Sequence, residues 1–180
     1  MDKEERKKLI TRNCAEVVGE ELLDTLLDKE EVITYCGYET SGEIHMGHLV
    51  TVTKLMDLEK AGIKVKVLFA DWHTWLNQKG DWDFVHEQVQ SWKQGFKALG
   101  LKNAEIVLGS SFQREMNYID DLLKLAQSTT LNRALRSMQQ VARDIEHAQV
   151  SQVIYPLMQI NDIKHLNVDI VHSGIEQRKI

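Results

Sequence analysis

Proline is nearly absent from this 180-residue chain: Pro156 stands alone. No stretch rich in serine and glycine takes its place, so nothing marks an interdomain linker. Internal repeats and low-complexity tracts are missing as well, which excludes solenoids and disordered arrays. One compact domain is expected, because the length is near that of a single domain and 43% apolar residues can fill a core. Cysteine is almost as scarce. Cys14 and Cys36 lie far apart without metal-ligand spacing, so neither a disulfide nor a zinc knuckle is expected, and free thiols suit a reducing compartment. No uncharged apolar run approaches the roughly eighteen residues of a membrane span. The N-terminus, MDKEERKKLITRN, is charged throughout with no signal core behind it, so the expected location is cytoplasmic, with no membrane partner. Positive charge in excess is lacking too. A net charge of −5 gives no global attraction to a polyanion, so any contact with nucleic acid has to come from a local basic patch.

What is present is an alternation. Val17, Val18, Leu22, Leu23, Leu26 and Leu27 recur at helical spacing within residues 1–30, which predicts one or two amphipathic helices on the surface. Val32 to Cys36 then form a β-branched run, ended by Gly37, that reads as a buried strand. From Met46 the spacing turns helical until Gly62, a candidate C-cap glycine; IKVKVLFA (63–70) gives a second strand, a helix ends at Gly100, and AEIVLGSS supplies a third strand. Strands alternating with helices close into a doubly wound parallel sheet with right-handed crossovers, an α/β fold. Ligands in such sheets bind outside the carboxyl ends of the strands. Those ends fall at 36–42, 70–77, 109–112 and, after a helical insertion, 172–177.

The segment TSGEIHMGH (40–48) occupies the first of these ends. His45 and His48 are three residues apart at a helix start, Gly47 between them lets a flat ring approach the backbone, and a helix N-terminus favours anions. Together they form a candidate cradle for a nucleoside triphosphate. Two other readings stay open on the residues alone. The histidines could ligate zinc, although no third ligand follows at a usual interval, or they could be ordinary polar surface.

His45-Met46-Gly47-His48 resembles the HIGH signature of class I aminoacyl-tRNA synthetases and stands in that signature's place after the first strand of a Rossmann-like sheet. The resemblance implies that His45 and His48 stabilise the phosphates of ATP, bound with Mg2+ as a substrate, while the amino acid's carboxylate attacks the α-phosphate. Gly47 becomes part of the adenine seat and Gly37 the loop entry, with no metal site in the protein. Such nucleotidyl transfers need positioning and charge stabilisation more than a protein nucleophile. GYETSGEIHMGH, ADWHTWLNQKG, VIYPLMQINDI and GIEQRKI further resemble the archaeal and eukaryotic tyrosine enzymes of this class, from about Thr11 to the last residue. The likeness implies a tyrosine–tRNA ligase that makes tyrosyl-adenylate and passes it to tRNA(Tyr). It places Tyr35 and Asp162 on the substrate's phenolic hydroxyl, Tyr155, Gln159 and Gln177 on its α-ammonium group, and Leu68, Ala70 and His73 along the ring. Tyr155, Gln159 and Asp162 fall at i, i+4 and i+7, which puts them on one face of a helix. A phenol and a carboxylate aimed at a hydroxyl would be stranded by phenylalanine, which accounts for selection without editing. Tryptophan–tRNA ligase is the alternative within the class, but an indole has no hydroxyl for Tyr35 and Asp162. Outside that specificity stand a catalytically inactive tyrosine- or nucleotide-binding fragment, and a nucleotidyltransferase of the same superfamily.

Residues 112–150 read as a helical connective insertion with Ile119, Leu122, Leu123, Leu125, Leu131, Leu135, Met138 and Val141 at helical spacing and Arg133, Arg136 and Arg143 among them. A solvated helix pair explains this equally well. The resemblance implies a homodimer through this insertion and contacts to the acceptor end of tRNA, for which Arg136 and Arg178 are the candidates. Two departures from the family pattern stand out. Thr40 replaces a usual proline, which predicts a looser loop, and the sequence stops at Ile180 before a KMSKS-type loop and a helical anticodon-binding domain. The chain is therefore expected to be a fragment, a truncated product or half of a split enzyme, with a raised barrier for want of the loop's lysines.

Overall fold

The computed structural model describes residues 1–138, 147 and 149–179. Its strands form where the β-branched runs predict them: β1 Ile33–Tyr38, β2 Lys64–Phe69, β3 Glu105–Leu108 and a short β4 Ile170–Val171. All pair in parallel in the order β3-β2-β1-β4. Parallel neighbours need crossovers, and helices supply them. Helix α3 (Met46–Lys60) joins β1 to β2; α4 (Asp71–Leu76) and α5 (Trp82–Ala98) join β2 to β3; α6 (Met116–Ser128), α7 (Leu131–Met138) and α8 (Val150–His165) lie between β3 and β4. The chain leaves β1 toward β2 on one side and returns to its other side with β4. A crevice therefore opens outside the carboxyl ends of β1 and β4, the switch point where doubly wound sheets take ligands.

Alternation along β1 divides the interior. Val32, Cys36 and Tyr38 join the main core with Val52, Leu55, Val67, Trp92 and Phe96, while Tyr35 points the other way and packs with Leu68, Ala70 and Leu166. Gly62 (φ +74°) and Gly100 (φ +102°) follow α3 and α5 in the left-handed conformation, the stop signals read from the sequence.

Two expectations are corrected. Gly37 does not end the first strand: it pairs with Leu68 and the ladder continues to Tyr38, because a parallel ladder uses backbone groups that glycine also has. Within residues 1–30, α1 runs over Lys3–Thr11, but Val17 and Val18 are not helical. Gly19 at φ +76° interrupts the chain, and only a short turn at Glu20–Leu22 and the four-residue α2 (Leu23–Leu26) follow. Leu23 and Leu27 are buried there, whereas Val18 stays 82% exposed. The insertion is helical over α6 and α7, with Arg133 and Arg136 exposed; Val141 and Arg143 lie outside the described residues, as does the side chain of Met138. Among the described residues no helix is long and apolar enough to cross a membrane.

Candidate active site

The loop after β1 is pinned from three sides. Glu39 accepts from Asn77 Nδ2 at 3.0 Å and pairs with Lys79. Thr40, fully buried, donates its backbone N–H to Thr74 Oγ1 at 3.1 Å. Proline has no N–H to give, so threonine at this position fastens the loop rather than loosening it, contrary to the sequence expectation. Trp92 Nε1 donates to the carbonyl of Gly42 at 2.6 Å, and Ile44 packs so closely on α5 that a Cβ on Gly95 would meet its Cδ1 at 2.2 Å.

This loop delivers His45 as the N-cap of α3. Its Nδ1 accepts from the N–H of Gly47 at 3.1 Å, and His48 Nδ1 accepts from the N–H of His45 at 3.1 Å. On each ring Nδ1 is the acceptor and Nε2 is left to donate, and the rings lie 4.1 Å apart over the first turn. Desolvation and the neighbouring His45 hold the pKa of His48 below the ordinary value. A Cβ on Gly47 would fall 2.9 Å from His45 Cε1 and Nδ1, so the flat ring that this glycine admits is first of all His45's own. The arrangement presents two N–H donors at a helix N-terminus, chemistry suited to phosphate oxygens.

The second half of the site lies beside β1 and β2. Tyr35, Leu68, Ala70, His73 and Asp162 are all buried. As the i, i+4, i+7 spacing requires, α8 carries Tyr155, Gln159 and Asp162. His73 meets the Tyr155 ring edge-on at 4.8 Å, and its Nε2 lies 3.5 Å from Asp162 Oδ2. Burial pushes His73 down to about 4 and Asp162 up to about 7, so at intermediate pH this is a contact between neutral groups rather than an ion pair. Gln159 Nε2 donates to Gln177 Oε1 at 2.9 Å. Two buried acceptors, Gln159 Oε1 and Asp162 Oδ2, have no hydrogen-bond partner, and such atoms carry a desolvation cost unless something donates to them.

Three further residues escaped the sequence reading. Gln113 Nε2 and Tyr118 Oη each donate to Asp162 Oδ1 at 2.8 Å, and burial, reinforced by the neighbouring Glu39 carboxylate, holds the Tyr155 hydroxyl well above its ordinary pKa. Gln113 and Tyr118 carry no local pattern, and only their distance in sequence from Asp162 hid them. Of the two arginines singled out, Arg136 is solvent-exposed and Arg178 pairs with Glu16.

A parallel sheet whose switch point offers two imidazoles at a helix start, beside a buried polar cluster, defines an α/β protein with a candidate ligand site. The chain belongs to the family described as tRNA synthetases class I (W and Y), whose profile matches residues 27–180. A tyrosine–tRNA ligase of Archaeoglobus fulgidus is 53% identical over all of this chain and 57% of its own length; one of Methanococcus maripaludis is 52% identical over 95% of this chain and 53% of its own. The solved tyrosyl-tRNA synthetase of Archaeoglobus fulgidus, complexed with L-tyrosine, superposes with a TM-score of 0.96 at 52% identity, over 99% of this chain and 57% of that one. A tryptophanyl-tRNA synthetase of Aeropyrum pernix shares the fold, with a TM-score of 0.72 at 23% identity. The chain thus spans just over half the length of the tyrosine–tRNA ligases it matches.

Proposed function

We propose that this chain is the tyrosine- and ATP-binding part of a tyrosine–tRNA ligase. The observation that carries the reading is the pair of unpartnered buried acceptors on one face of α8, Asp162 Oδ2 and Gln159 Oε1, beside the buried cluster of Tyr35, Leu68 and Ala70. The substrate's phenolic hydroxyl donates to Asp162 and meets Tyr35. Its α-ammonium group is held by Gln159, Gln177 and Tyr155, with the Glu39 carboxylate behind Tyr155 adding negative charge.

Tyrosine's carboxylate attacks the α-phosphate of ATP, forming the acyl-phosphate bond and expelling pyrophosphate; Mg2+ accompanies ATP as part of the substrate. His45 and His48 donate from Nε2 to the phosphate oxygens as charge develops, and the pinned loop holds the backbone that carries them. An adenine ring seated on Gly47 requires the His45 imidazole to swing off that glycine. In the whole protein the tyrosyl group passes to tRNA(Tyr), with exposed Arg136 and Arg178 as contacts to the acceptor end; Arg178 must then exchange Glu16 for phosphate or a base. Met116, Leu123 and Leu131 are 75%, 62% and 64% exposed on the insertion, apolar surface that fits a homodimer contact.

The test is calorimetric binding of tyrosine, tryptophan and phenylalanine to this chain, together with tyrosine-dependent pyrophosphate exchange and His48→Ala as control. Tyrosine binding alone, with exchange lost in the variant wherever exchange occurs, is expected. Equal binding of all three amino acids, or none, overturns the reading.

A further inference from the structure

Asp162 is a buried carboxyl gripped on one side only. It is 1% exposed, yet its two oxygens are treated differently. Oδ1 accepts from Gln113 Nε2 and Tyr118 Oη, both at 2.8 Å, while Oδ2 has no donor. Neither donor is loose. Tyr118 is fully buried, its backbone carbonyl accepts from Asn161 Nδ2 at 3.0 Å, and its hydroxyl also lies 3.1 Å from the carbonyl of Met158. Gln113 is 3% exposed and sits on the turn after β3, whose shape is set by Asp71: Asp71 Oδ1 accepts from the N–H of Ser110 at 2.8 Å, and Asp71 Oδ2 takes the Ser110 hydroxyl. Helix α6 and the β3 turn thus grip one carboxylate oxygen and leave the other unengaged.

Resting on the tyrosine reading above, we propose that Gln113 and Tyr118 are positioning residues for substrate selection: by occupying Oδ1 they fix the carboxylate plane and leave Oδ2 as the acceptor for a para-hydroxyl. Selection between tyrosine and phenylalanine then depends on residues that never touch the substrate. An unanchored carboxylate could turn and satisfy itself on protein donors when no hydroxyl is present. An anchored one remains stranded, which makes the wrong amino acid costly.

The same two donors govern the proton. Burial raises the Asp162 carboxyl to about 7, the nearby Asp71 adds to the rise, and Gln113 and Tyr118 oppose it by bonding the ionised form. The other groups facing it are Tyr35 from β1, His73 from α4 and Tyr155 on α8 itself. A phenol donates best to the ionised carboxylate, so tyrosine binding weakens as pH falls through about 7. Removing a donor must raise the carboxyl further and move that midpoint to higher pH.

The experiment measures L-tyrosine and L-phenylalanine binding to the chain, Tyr118→Phe and Gln113→Leu by calorimetry from pH 5.5 to 9. Alongside, the Asp162 carboxyl is titrated by 13C NMR without amino acid. Each variant is expected to shift the NMR titration and the tyrosine-binding midpoint upward, and to lose roughly tenfold in tyrosine-over-phenylalanine preference at neutral pH, the effect of one hydrogen bond to a charged group. Wild-type-like midpoints and preference overturn the proposal. So does an equal loss for both amino acids at every pH with an unmoved NMR titration, which marks purely structural residues. Should the unaltered chain bind no tyrosine, the functional reading fails by itself, and the NMR titration still judges whether Gln113 and Tyr118 hold the carboxylate.

Discussion

Replacing Asp162 by asparagine tests the electrostatics of the pocket through stability alone. Asparagine keeps the shape and the Oδ1 acceptor for Gln113 and Tyr118 but cannot ionise. The folded carboxyl is raised to about 7 from 3.8. The folded state therefore holds this proton more tightly than the unfolded chain, so the contribution is fully present below the unfolded value and is lost as pH rises through the folded one. The gap corresponds to roughly 4 kcal/mol at about 1.36 kcal/mol per tenfold. His73 and His172, both pushed down to about 4 from 6.5 by burial, act in the opposite sense, their stability being present above 6.5 and lost as pH falls toward 4. The wild-type stability curve is therefore a flattened balance of opposed groups. In the difference between Asp162→Asn and the wild type the histidine contributions cancel. That difference is expected to be near zero below pH 3.8 and to grow to several kcal/mol in favour of the variant at pH 8, a melting shift of about 10 °C for a domain of this size. Urea unfolding followed by circular dichroism at several pH values measures it directly. A difference that stays constant between pH 4.5 and 8 would refute the assignment of a raised, buried carboxyl.

Two other perturbations probe what holds the site in place. Lys54 is 7% exposed and donates to the carbonyls of Leu9, Ile10 and Arg12 at 2.9, 2.5 and 2.9 Å, closing the end of α1 against α3. Lys54→Met should cost about 2–4 kcal/mol in urea unfolding by stranding those acceptors; a loss below about 0.5 kcal/mol would show that water replaces the ammonium group. At Gly109 an added Cβ would come within 2.6 Å of Gln113 Oε1 and 2.9 Å of Asp71 Oδ1. Gly109→Ala is therefore expected to destabilise the fold by about 1–3 kcal/mol and to weaken tyrosine binding through Gln113. Unchanged tyrosine affinity in a destabilised variant would separate the turn from the pocket.

Much of the architecture is written locally. The β-branched runs at 33–38 and 64–69, the helical spacing that follows each, and the stop glycines Gly62 and Gly100 specify strands, helices and their ends through interactions within a few residues. Their alternation implies a parallel sheet, and that in turn puts residues 40–48 at a binding crevice. The helical spacing of Tyr155, Gln159 and Asp162 likewise fixes their common face. Local rules fail where the backbone departs from them, as at Gly19, which breaks the helix that Val17 and Val18 suggest. They fail also where threonine in place of the family's usual proline, at Thr40, creates a bond to a distant partner, Thr74. The state of the pocket belongs to tertiary structure altogether. Gln113 and Tyr118 reach Asp162 across 49 and 44 residues of chain. Which carboxylate oxygen is taken, which is open and where its proton titrates follow from burial and from donors on other elements, and these exist only once α6, α8 and the β3 turn have packed together.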